Sequence, residues 1–265
     1  MITEMQGDET DGFLLLTGMT KDQNYPIIGS DELENQLTSL LTVFVSRFIL
    51  MHELGHLFNG HCQYLSSLCQ SDKMNYFPMF NYGNSKIEGV MSNLDWRTLE
   101  YDADSFAITG SFQYLMMLYQ DFDNKVDTYI IKEPSDLFYW WGFAIRSEFL
   151  LMQKIFSDDN TPHAHHFPSS LRWITVILTI NGILYGEHFK FNYVNHDNAA
   201  IILEKIFSGA SYAERYFTKV NIIDNCLILD TIENHKCEHL EDVEQNWKKM
   251  LIKLKPFTRL YLYQK

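Results

Sequence analysis

The run His52-Glu53-Leu54-Gly55-His56 lies near the end of a long stretch of helical apolar spacing, and it restricts the possible fold more than any other feature of this chain. Leu33, Leu37, Leu40, Leu41, Phe44, Val45 and Phe48 recur at helical intervals, and neither Pro nor Gly intervenes before Gly55. Ser30 or Asp31 can cap such a helix, and Glu32 and Glu34 complement its dipole. Gly60 stops it near Asn59. Four helical residues turn the chain by about 400 degrees, so His52 and His56 share one face a turn apart. Two imidazoles preset in this way suit zinc, but the ion needs a further ligand from another element, which must pack against this helix. Glu53 falls beside such an ion rather than on it, where a carboxylate can take a proton from water.

Ten histidines in 265 residues produce HExxH by accident in roughly 2 of 100 such sequences, so the third ligand decides the matter. His61 is one candidate. The metzincin spacing, however, needs Gly at position 59 and His at 62, where this chain has Asn59 and Cys62. Gly60 breaks the helix just before His61, which reads as a capping or surface residue; as a fourth ligand it would close the site and favour a structural metal. The better candidate lies in Leu99-Glu100-Tyr101-Asp102-Ala103-Asp104, on a second helix predicted from Asp95 through Tyr119. Glu100 and Asp104 share a face at i and i+4, where two acids repel each other unless a cation stands before them. One carboxylate on the metal and another orienting a ligating His through its free ring N–H is a common arrangement around zinc.

With both motifs in hand, HELGHLFNGH followed by EYDADSFA resembles the gluzincin metallopeptidases related to the CAAX prenyl proteases and the HtpX-type heat-shock proteases. The resemblance implies a zincin-like metallopeptidase domain with His52, His56 and Glu100 on a single zinc ion. It further implies Glu53 as catalytic base and Asp104 as the acid behind a ligating His. Such peptidases often carry a downstream His-Pro segment with Arg six residues after the His. Here His166-Phe167-Pro168-Ser169-Ser170-Leu171-Arg172 keeps the His-to-Arg separation but shifts the Pro by one, and His163 and His165 compete with His166. A His there can donate to the oxyanion, and Arg172 can hold substrate or a structural carboxylate. The same segments, over residues 48 to 175, are similar to the phage-exclusion peptidases of the Lit type.

Helical patterns continue from Pro134 to Phe156 and from Ser169 to Tyr185. The last stripe runs along Leu240, Val243, Trp247, Leu251 and Leu254, as a core face. The stretch from Cys62 to Leu94 reads as loop with one or two short strands, and Phe13 to Leu16 as another. The expectation is a mainly α fold with a small β element. It forms one domain over 1–265, with a motif-bearing core at about 30–187 and a helical C-terminal elaboration at 188–265. Phe138-Tyr139-Trp140-Trp141 and Met116-Met117 read as core.

A net charge of -13 excludes phosphate backbones as natural partners. Four widely spaced cysteines, Cys62, Cys69, Cys226 and Cys237, make no disulfide scaffold. His235-x-Cys237-x-His239 lacks a fourth ligand for a second metal. The longest charge-free candidate span, Trp173 to Gly186, reads as a buried helix, and the opening residues show no targeting signal. A cytoplasmic zinc endopeptidase with a protein or peptide substrate is the expectation. A catalytically silent, zinc-stabilised binding or regulatory protein is the alternative, and association with a membrane is not expected.

Overall fold

The structure, a computed structural model, describes residues 31–69, 91–122, 130–155, 168–186, 196–219 and 238–259. Seven helices account for the regular structure among these residues: α1 Asp31–Phe58, α2 His61–Cys69, α3 Asn93–Gln120, α4 Asp136–Ile155, α5 Ser169–Tyr185, α6 His196–Lys219 and α7 Glu238–Leu254. The mainly α expectation holds. Among the described residues there is no strand, and the proposed strand at Phe13 to Leu16 lies outside them.

One correction concerns the segment after α1, expected as loop from Cys62 onward, which is helical through Cys69. Gly60 takes a φ of 85, ends α1, and its carbonyl accepts from Tyr64 N–H at 2.9 Å to open α2. A nine-residue helix is marginal alone. It is held because Tyr64 and Leu65 bury against Leu99 of α3 and Met250 and Leu254 of α7. The expected helical C-terminal part includes α6, for which the sequence reading set no boundaries. Its Ile202, Ile206, Ala210, Ala213 and Phe217 repeat at helical spacing and bury in the main core.

That core joins five helices. Phe44 and Phe48 of α1 meet Ile108, Phe112 and Leu115 of α3, and Phe138, Trp141 and Phe149 of α4, with α5 and α6 completing the cluster. The aromatic run on α4 is core as expected, with Trp140 donating Nε1–H to the Ile130 carbonyl at 2.8 Å. Met116 is buried but Met117 is exposed, which corrects the reading of both as core: adjacent residues of a helix point about 100 degrees apart. Beyond α7 the chain returns to the end of α1, where Arg259 N–H and Thr258 Oγ donate to the Phe58 carbonyl at 2.9 and 3.2 Å. An orphan carbonyl at the C-terminus of the motif-bearing helix is thus satisfied from 200 residues away.

By length and composition, Glu34–Phe58 of α1 is apolar enough to cross a membrane, a feature that a search for charge-free runs passes over. Its exposed face is polar in large part, with Asn35, Thr38, Ser39, Thr42 and Ser46 beside Val43 and Leu50, while Leu37, Phe44 and Phe48 turn inward. Of the apolar window on this helix, 28 % is buried inside the protein.

Candidate metal centre

The second half of α1 lies against α3 at a point of close approach. A Cβ on Gly55 would sit 3.1 Å from the Cα of Ala103 and 3.2 Å from the Cβ of Phe106. Only a residue without a side chain lets the two backbones come this near, and Glu100, one turn before Ala103, then reaches across to the histidines. His52 Nε2 and His56 Nε2 are 3.1 Å apart. Glu100 places Oε2 at 3.4 Å from His52 Nε2 and Oε1 at 3.5 Å from His56 Nε2. Ligands about 2.0–2.1 Å from a tetrahedral zinc stand roughly 3.3 Å from one another. The two Glu100 contacts run to different carboxylate oxygens, and one ligand atom from each of the three residues lies within 4.8 Å of the other two, so the group could hold a metal ion.

Proton bookkeeping fits the same ion. His52 Nδ1 lies 2.9 Å from Asp104 Oδ1; an ionised carboxylate only accepts, so His52 carries a proton on Nδ1. Arg172 locks Asp104 in turn, donating Nε–H to Oδ2 and Nη2–H to Oδ1, each at 2.8 Å, while its guanidinium lies 4.2 Å over the ring of Phe149. Burial alone would raise Asp104, but Arg172 and His52 outweigh it and hold the carboxyl down at about 2. Of the two roles open to Arg172, the structure displays the structural carboxylate.

Burial also opposes charge on both imidazoles. On His52 it is overcome by Asp104 and Glu100, which raise the pKa to about 10. On His56 burial prevails over the pull of Glu100, assisted by the charges of His52 and His61, and the pKa falls well below the usual imidazole range. The acids of this pocket therefore stabilise one positive charge at the point where the Nε2 atoms and Glu100 converge. A divalent ion at that point supplies positive charge without a proton.

Glu53 is 8 % exposed, and neither carboxylate oxygen finds a hydrogen-bond partner among the described residues. Burial raises its pKa, His52 pulls it down and Glu100 pushes it up again, with an upward result. Burial and the charge of Glu53 push the neighbouring Cys62 thiol up to about 11.

Sequence reasoning missed the surroundings of His56. His61, expected as a cap or surface residue, is fully buried and lies with Nδ1 at 2.9 Å from His56 Nδ1. Its Nε2 is 3.0 Å from Asp102 Oδ2, which also accepts from Asn59 Nδ2 at 2.5 Å. The signal was present in the Gly60 turn, but which way that turn aims the next side chain is set by the packing of Phe257 and Thr258. His166, with His163 and His165, lies outside the described residues, as do Cys226, Cys237 and His235.

Comparison with protein-family models, curated proteins and solved structures finds no match for this chain. The kinship suggested by the motifs therefore rests on these residues and their geometry.

Proposed function

We propose that this chain is a zinc-dependent endopeptidase of gluzincin type, with His52, His56 and Glu100 holding the ion and Glu53 as general base. One observation carries the reading: His52, His56 and Glu100, a group that could hold a metal ion, have beside them a buried carboxylate whose two oxygens find no hydrogen-bond partner among the described residues. Bound zinc supplies Lewis acidity, acidifying a water and polarising a substrate carbonyl. Glu53 would take the proton of an attacking water and return it to the amine nitrogen as the C–N bond breaks. Burial raises its pKa from the ordinary glutamate value, which makes it a stronger base than an exposed glutamate. Asp104 holds His52 with Nε2 bare, and Arg172 holds Asp104. His166 enters as oxyanion donor on the sequence pattern alone. In this reading α1 and α3 are the ligand-bearing pair of a zincin-like domain, and the substrate is a cytoplasmic protein or peptide.

A zinc-stabilised protein without turnover needs a fourth protein ligand to close the coordination shell. His61 is the side chain best placed in sequence for that task, and both of its ring nitrogens face other partners. The test is Glu53→Gln, assayed with a peptide library read by mass spectrometry. The variant is expected to keep one equivalent of zinc and to lose about 10²- to 10⁴-fold in cleavage. Undiminished cleavage by Glu53→Gln rejects the mechanism, and a zinc-loaded wild type that cuts no peptide favours the silent alternative.

A further inference from the structure

We infer that His61 and Asp102 form a positioning relay for the ligand His56, fixing which of its ring nitrogens is free for the metal; the inference rests on the zinc reading above. The relay can be followed atom by atom. Asp102 Oδ2 faces His61 Nε2 at 3.0 Å, and an ionised carboxylate only accepts, so His61 carries its proton on Nε2. In that tautomer His61 presents a lone pair at Nδ1, 2.9 Å from His56 Nδ1, and His56 is the ring that donates in that contact. With its proton committed to Nδ1, His56 has a bare Nε2, which is the atom facing His52 and Glu100. Each assignment follows from the one before, and the last is what a zinc ligand requires.

The surroundings agree. His61 is fully buried, a costly location for an imidazole unless both nitrogens are satisfied, as they are here. Asn59 donates to the same Asp102 oxygen and holds it toward His61. Gly60 makes the geometry possible. Its φ of 85 suits glycine, and a Cβ there would fall 2.7 Å from the backbone of Phe257. The two ligands are thus supported unequally: His52 leans on a carboxylate directly, and His56 reaches one through an interposed imidazole.

The experiment combines zinc affinity, by competition with a chromophoric chelator, and imidazole nitrogen NMR of zinc-loaded protein. His61→Phe, which removes the acceptor but keeps the bulk, is expected to weaken zinc about 10- to 100-fold. His61→Gln, whose amide offers an acceptor and a donor together, should restore most of that loss. Asp102→Asn, which keeps shape without charge, should lose less than His61→Phe. In the wild-type spectrum His61 should be protonated at Nε2 and bare at Nδ1, with His56 protonated at Nδ1. This readout does not depend on any variant folding, and mere structural support would not fix it. A His61 that is bare at Nε2 and protonated at Nδ1, or a His61→Phe affinity equal to wild type, overturns the relay and leaves the zinc reading intact. A wild-type chain that takes up no zinc overturns both.

Discussion

Two clusters of buried charge lie in the same helical core and are finished differently. Between α4 and α6, Arg146 gives Nε–H to Glu214 Oε1 at 2.8 Å, gives Nη2–H to the same oxygen, and gives Nη1–H to the Ser169 carbonyl at 2.8 Å. That cluster consumes its own bonding capacity. Between α1 and α3, two imidazoles and Glu100 converge, and among the described residues Glu53 has no hydrogen-bond partner for either oxygen. In the proposed function, a cation and a water or substrate complete this arrangement. Buried charge alone is no mark of function, since a satisfied pair serves the fold; buried charge with unspent bonding capacity is.

The same substitution made in each cluster should therefore act with opposite sign. Glu214→Leu strips the carboxylate from a buried guanidinium and is expected to destabilise the chain by about 3–5 kcal/mol in denaturant unfolding. Its zinc affinity, normalised to folded protein, should not change. Glu53→Leu removes an unpartnered buried carboxylate and should raise metal-free stability by about 1–3 kcal/mol while abolishing cleavage. Loss of stability in Glu53→Leu would place Glu53 with the structural cluster and erase the contrast.

Smaller effects probe how the ligand-bearing helices are held. Gly→Ala inside an exposed helix gains about 1 kcal/mol. At Gly55 the new methyl meets the backbone of Ala103, and overpacking of about 1–3 kcal/mol cancels the gain. Gly55→Ala should consequently be no more stable than wild type and should bind zinc more weakly, because Glu100 moves with α3. A full gain in stability with unchanged zinc affinity would show that the close approach is incidental. The smallest effect lies at the start of α3, where Asp95 Oδ2 accepts from Ser92 N–H and Oγ–H, Oδ1 accepts from Asn246, and Asp95 N–H bonds back to Ser92 Oγ. Burial raises this carboxyl, but those hydrogen bonds outweigh it and hold it below the usual aspartate value. A depressed folded value stabilises above the unfolded pKa and is lost as pH falls through the folded one. Asp95→Asn should cost about 0.5–1 kcal/mol near neutrality and almost nothing in strong acid. A penalty independent of pH would contradict that origin.

Much of this arrangement was legible in the sequence, because period and spacing survive folding. The helix carrying His52 and His56 and the one carrying Glu100 and Asp104 were readable from apolar recurrence. The i and i+4 spacing fixed which side chains share a face. The nine residues after Gly60 were not readable, since Tyr64 and Leu65 are helical only through burial against α7, far along the chain. His61 and Asp102 were hidden for a related reason. Their meeting depends on a turn whose direction is set by the chain near Phe257, and no local spacing encodes it. Arg172 was found by a motif, but its partner was decided by packing against Phe149 and the reach of Asp104.

Anomalous scattering at the zinc edge, from crystals grown with zinc, tests the central claim most directly. The expected result is one strong peak about 2 Å from His52 Nε2, His56 Nε2 and a Glu100 oxygen, with the fourth position open toward Glu53. A map with no peak there, or a peak whose fourth ligand is a protein side chain, contradicts the hydrolytic site.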